Sequence, residues 1–173
     1  MTRNLHWLLS VLLGAAVVHV AALGALPYVV MGRLILEQTR GAGENTFAHS
    51  ALPNAAWHER VRASPDLAYS SAVFDVREHP LHVVVPVTEP YTALAGFSLN
   101  TDNFFVVDDQ DVSGPTIDLV LVGPSTPRAG LAGLPLVEAP SDFGLLLVRR
   151  VVPNETAFAS IDGARRQARV EFR

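Results

Sequence analysis

This chain of 173 residues has no cysteine and no lysine. The first absence excludes disulfides, thiolate metal sites and cysteine nucleophiles, and it leaves the redox compartment unmarked. The second makes every basic side chain an arginine, which reads as a bias toward GC-rich Ala, Arg and Gly codons rather than as mechanism. Catalytic signatures are missing too. No Gly-x-Ser-x-Gly elbow surrounds Ser70 or Ser71, and no helix follows them to expose a nucleophile. No glycine loop follows a strand, because Gly41-Ala42-Gly43 trails a long apolar run and Gly130 to Gly133 lies between strands; this argues against nucleotide and dinucleotide enzymes. The only dense basic run is Arg165, Arg166 and Arg169, too little to neutralise a nucleic-acid backbone, so no nucleic-acid partner is expected.

What the chain does have is an unbroken apolar run from Trp7 to Val30 without Asp, Glu or Arg. At about 1.5 Å per residue the step from Trp7 to Tyr28 covers roughly 30 Å, the hydrocarbon thickness of a bilayer, with an amphipathic ring at each interface. A cleaved signal peptide is the competing reading, since Ala22-Leu23-Gly24 before Ala25 fits a peptidase site. The n-region carries only Arg3, and apolar character continues through Pro27, Tyr28, Val29, Val30 and Met31, so an uncleaved signal anchor is the expectation. Arg3 on one side and Arg33 and Arg40 on the other nearly cancel the charge bias; the orientation favoured is N-terminus inside, domain outside. His19 lies mid-span, where a neutral imidazole is tolerated or meets another helix. Gly14, Ala21, Gly24 and Ala25 would permit a homo-oligomer through this helix, although small residues are common in spans.

The spacing predicts that the helix continues from Arg33 to Arg40 and stops at Gly41 and Gly43. Residues 1–40 are then membrane helix and exit, 41–63 a largely irregular connector with a helical turn near Trp57 to Arg62 and Trp57 packed on the domain, and 64–173 one β-rich domain. Beyond Arg40 the ten remaining Arg face sixteen Asp and Glu, so the outer part is acidic. Strands are expected at Leu67 to Val76, Leu81 to Val87, Tyr91 to Asn100, Phe104 to Val107, Ile117 to Val122, Leu136 to Ala139 and Gly144 to Arg150, separated by turn residues. Short strands at this spacing indicate a mainly β protein, an antiparallel sandwich or open barrel. A C-terminal helix is expected over Asn154 to Val170, with Asn154 as N-cap and arginines toward its end, where the helix dipole favours them.

Asp108-Asp109-Gln110-Asp111, after Asn100, Asp102 and Asn103, is the densest set of oxygen ligands. Its spacing is not that of a calcium loop and it falls between strands, so a solvated acidic turn is the reading. His79 and His82 sit three apart across Pro80, which turns them to opposite faces of an extended strand, and His49 and His58 add imidazoles without a recognised spacing. No metal and no cofactor are expected.

The order Ser64-Pro65-Asp66-Leu67-Ala68-Tyr69-Ser70-Ser71, then Phe74-Asp75-Val76 and the Val83 to Pro86 strand, resembles the domain-of-unknown-function family 1254 of bacterial envelope proteins. The similarity continues through Tyr91, Phe97, Asn100-Thr101-Asp102-Asn103-Phe104-Phe105 and Gly144 to Arg149, covering about Ser64 to Gln167; Asn45 and His49 are similar to positions of its short, membrane-anchored members. The resemblance implies a jelly-roll-like sandwich and no established chemistry. It also implies that longer members carry a second β domain, so a separate β-rich membrane protein bearing that domain is an expected partner. The expected role is a non-enzymatic docking domain, single-pass in a bacterial inner membrane with the domain in the periplasm. The alternative is a small-ligand-binding or hydrolytic domain whose polar cleft is formed by Asp66, Tyr69, Asp75, Tyr91, Asn100, Asp102 and Asn103, unless these groups serve backbone amides at turns.

Overall fold

The protein is described here by a computed structural model covering residues 2–52, 64–128, 131 and 133–173. The turn expected at Trp57 to Arg62, the packing of Trp57 and the imidazole of His58 lie outside the described residues. A single helix, α1 (Thr2–Ala42), opens the chain, and it is long and apolar enough to cross a membrane. Every side chain from Asn4 to Val30 except that of Pro27 is exposed on it. It ends where the sequence indicates: the amide of Gly43 donates to the carbonyl of Thr39 at 3.0 Å, with Gly43 at φ +86°, the left-handed geometry that glycine adopts without cost.

The remaining elements are β1 (Ala48–His49), β2 (Leu67–Asp75), β3 (Leu81–Pro86), β4 (Thr92–Ser98), β5 (Asn103–Asp108), β6 (Thr116–Val122), β7 (Leu136–Glu138), β8 (Phe143–Val151), α2 (Glu155–Arg165) and β9 (Arg169–Phe172). They form two sheets, with strand orders β1-β2-β8-β4-β5 and β7-β6-β3-β9. The first is antiparallel throughout, and β2 pairs with β8 over its whole length, from Leu67 against Val151 to Asp75 against Phe143. In the second only β7 runs parallel to its neighbour.

Side chains alternate between faces along a strand, which sends Phe74, Leu94, Leu146 and Val148 of the first sheet and Val83, Val85, Leu119 and Leu121 of the second into one buried cluster. Gly144 permits a close approach inside it. A Cβ there would lie 2.2 Å from the carbonyl oxygen of Phe97 and 2.5 Å from the ring of Phe74. The opposite face of the first sheet receives α1, where Met31 is buried with Val73 and Leu145.

The seven strands expected from the sequence all form, each ending within two residues of its expected bounds. Two expectations need correction. The C-terminal helix stops at Arg165, and residues 169–172 are a strand, Val170 opposite Val83 on the edge of the second sheet. Asn154 does cap the helix, its side chain accepting from the amide of Ala157 at 2.9 Å. The connector, in turn, is not irregular over its first part. Asn45 donates its amide to the carbonyl of Val73 at 2.7 Å, β1 pairs with β2, and Phe47 joins the main core.

Candidate functional site

The seven polar residues picked from the sequence do not share one cleft. Because β2 and β4 both run antiparallel to β8, Asp66, Tyr69 and Tyr91 lie at one end of the first sheet and Asp75, Asn100, Asp102 and Asn103 at the other. Tyr69 and Asp75 are separated by roughly 20 Å of extended chain. Most are occupied locally. The Tyr69 hydroxyl accepts from the amide of Ser64 at 3.0 Å, and the Tyr91 carbonyl from the amide of Val151 at 3.2 Å. Asp75 holds Arg77 by two contacts to Nε at 3.1 and 3.2 Å and one to Nη2 at 2.8 Å, and those hydrogen bonds keep its carboxyl below the usual range. Asn100 donates Nδ2 to the Asp102 carboxylate at 2.6 Å, and Ser98 donates its hydroxyl to Asn100 Oδ1. Asn103 is the exposed first residue of β5. Asp66 and Asp75 border separate depressions, that of Asp75 shared with Glu44, Asn45, Glu78 and His79.

The acidic run likewise serves its own backbone. Asp108 Oδ1 accepts from the Gln110 amide at 2.9 Å, Asp111 Oδ2 from the Asp108 amide at 3.0 Å and Asp109 Oδ1 from the Thr92 amide at 3.2 Å. His82 Nε2 pairs with Asp118 at 2.6 Å across the β3–β6 ladder, whereas the His79 ring packs edge-on to Phe172. Among the described residues no group of three His, Asp or Glu converges as cation ligands.

A cavity of about 370 Å³ lies elsewhere, between the last turns of α1 and the β1–β2 edge. Leu34 and Leu145 give it apolar walls, and Glu37, Gln38, His49, Ser50 and Ser71 bring polar groups. One hydrogen bond joins its two walls: Ser71 Oγ donates to Gln38 Oε1 at 2.8 Å, tying helix to sheet. On the opposite face of the same edge, His49 Nδ1 pairs with Ser70 Oγ at 2.8 Å across the β1–β2 ladder. Arg165 of α2 locks the edge from behind, donating Nη1 to the carbonyls of Ser50 at 2.8 Å and Tyr69 at 3.2 Å while its Nε bonds Asp162 at 2.6 Å. Burial first, and then the positive charge of Arg165 and Arg166, lowers the pKa of His49, so the imidazole is neutral at pH 7.

This arrangement can accept and donate hydrogen bonds to a small molecule. It is not a nucleophilic site: Ser70 is 1% exposed, and Asp162 is engaged by Arg165 and Arg166 instead of His49. The sequence singled out Ser70, Ser71 and His49 but not Glu37, Gln38 or Ser50, because nothing in their spacing signals that the end of α1 folds back onto the sheet. Arg150, fully buried between the sheets, was legible only as the end of a strand.

The model of a family described as a protein of unknown function (DUF1254) matches residues 44–171. No curated protein matches the chain. Among solved structures the chain is similar to the VPA0106 protein from Vibrio parahaemolyticus, with a TM-score of 0.67 at 12% identity over 88% of this chain and 37% of that one. It is also similar to a putative uncharacterized protein from Burkholderia cenocepacia, with a TM-score of 0.49 at 20% identity over 82% of this chain and 39% of that one. The chain thus spans about two fifths of the length of each. The Vibrio likeness shows a shared fold and nothing about activity.

Proposed function

The chain belongs to the DUF1254 family of proteins of unknown function, and from that premise we propose that it is a single-pass, membrane-anchored docking domain without enzymatic activity. In this reading α1 crosses a bacterial inner membrane with its N-terminus inside, the domain stands in the periplasm as a jelly-roll-like sandwich, and its partner is a second β-rich membrane protein. The observation that carries the docking role is the open edge at β5. That strand ends the first sheet, so among the described residues no strand pairs with its outer side, and Val106 on it is 49% exposed. An unpaired strand edge with an exposed apolar residue accepts a strand from another chain.

The test is affinity capture of the full-length protein from detergent-solubilised native membranes, in parallel with Val106→Glu. The expected result is one stoichiometric β-rich membrane protein with the parent chain and its loss with the variant. Recovery of the protein alone, or of a partner indifferent to the charge, contradicts the proposal. A second reading, binding of a small polar ligand, is favoured by the cavity beside His49 and Gln38. Under that reading Ser71→Ala weakens ligand uptake in a small-molecule screen and leaves capture of the partner unchanged.

A further inference from the structure

We propose that the turn from Leu99 to Asp102 rests in the lipid headgroup layer, so that the domain sits directly on the bilayer in one fixed orientation. This inference rests on the reading of α1 as a membrane span. It starts from Met31, three residues beyond Tyr28 and so roughly 5 Å further along the helix axis than the ring expected at the interface. Met31 is only 3% exposed, packed on Val73 of β2 and Leu145 of β8, with Ile35, Phe97 and Leu99 around it. Seven residues on, Gln38 is bonded to Ser71 of β2.

These two contacts fix the line along which α1 crosses the sheet. Val73, Leu145 and Phe97 form one transverse row in the strand register, and Leu99 lies two residues past Phe97, beyond the end of β4. Ser71 lies two residues from that row in the opposite direction. Followed back toward its N-terminus, the helix therefore leaves the sheet beside Leu99, and the next residues are Val30, Val29 and Tyr28, the end of the apolar run. The anchor and the domain are in contact before residue 41, so the chain between 41 and 63 does not separate them.

The turn itself is held in place. The Ser98 amide donates to the Asp102 carbonyl at 2.9 Å, the Thr101 amide to the Ser98 carbonyl at 2.9 Å, and the Leu99 amide to Ser141 Oγ at 3.0 Å. Its tip, Asn100, Thr101 and Asp102, offers hydrogen-bond donors and acceptors, while Leu99 is half-buried. Arg33, exposed on α1 two residues past Met31, supplies a cation for lipid phosphate at the same depth. A polar tip beside an apolar shoulder and an arginine is suited to the chemically mixed headgroup region.

Because the chain has no cysteine, a single fluorophore can be placed without removing any residue that matters. The full chain carrying Thr101→Cys, or Ser160→Cys on α2 at the far end of the domain, is labelled and reconstituted into phosphatidylcholine vesicles containing a headgroup nitroxide lipid, then floated. The expected result is quenching several-fold stronger at position 101 than at 160 in the floated protein, reduced toward the level at 160 when Met31→Asn is added. Equal quenching at both positions in protein that floats overturns the inference while leaving the span intact. Failure to float overturns the span, and this inference with it.

Discussion

Arg150 is the largest fully buried side chain among the described residues. Its Nη2 donates to the carbonyl of Pro86 at 2.8 Å, and its Nε and Nη1 have no partner among those residues. Burial, with the nearby charge of Arg165, brings its pKa down to about 10, so it stays charged at neutral pH. A buried charge without a counter-ion opposes folding by more than one hydrogen bond returns. Arg150→Met is therefore expected to stabilise the full chain by about 1 kcal/mol or more in urea unfolding; a loss of similar size would show that the guanidinium is compensated by an anion.

His49 gives a pH dependence of definite sign. Its folded pKa lies below the model-peptide value of 6.5, so the unfolded chain binds the proton more tightly. The stability this contributes is complete above pH 6.5 and is lost as pH falls through 6.5 toward the folded value. Asp75 and Asp162 act in the same direction at lower pH. Both are held below the usual carboxyl range, Asp75 by Arg77 and Asp162 by Arg166 and then Arg165, and their share is lost as pH falls below about 4. His49→Gln, which keeps a hydrogen-bonding group and cannot titrate, is expected to lose less stability than the parent between pH 7 and pH 5 in thermal unfolding. An identical slope for both chains would contradict the role of the imidazole.

At the scale of elements, short runs rich in Val, Leu, Phe and Tyr between turn residues made the strands legible. Leu119 and Leu121 alternate with Asp118 and Val120, and Phe74 and Ala72 with Asp75 and Val73, so one face of each strand was already apolar in the sequence. The helix caps were legible for a different reason, since Asn154 and Gly43 are the residue types those positions need. What escaped was long-range. Arg169 to Phe172 is too short to declare itself a strand, and only pairing with β3 makes it one. The polar residues at strand ends were found correctly as polar and turn-forming, but one sequence does not say which end of a sheet each occupies.

Gly144 tests the packing directly. With the Phe97 carbonyl of β4 2.2 Å and the Phe74 ring of β2 2.5 Å from where a Cβ would stand, the first sheet has no slack around β8 there. Gly144→Ala is expected to destabilise by about 1–3 kcal/mol in urea unfolding, since overpacking must displace backbone as well as a ring. An unchanged midpoint would mean that β4 and β8 are not in the register described.

For the whole molecule, the consequence of a helix that packs on its own domain is that position and orientation are coupled. The last turns of α1 form one wall of the cavity beside His49, they bury Val73 and Leu145, and they lead straight into the apolar run. A partner that binds at the β5 edge would then meet that edge at a set height above the bilayer. Cleavage after Gly24 would remove most of the run but leave Met31, Ile35 and Gln38 on the sheet, so such a shortened domain could keep its fold and lose its location.

That difference makes one measurement decisive for membrane anchoring. Membranes from bacterial cells producing the full chain are extracted with alkaline carbonate, and the intact mass of the protein is measured in the pellet and in the supernatant. The expected result is the uncleaved chain, retained in the pellet. A chain shortened within the run and released into the supernatant would contradict the anchor, and with it the placement of this domain on a membrane.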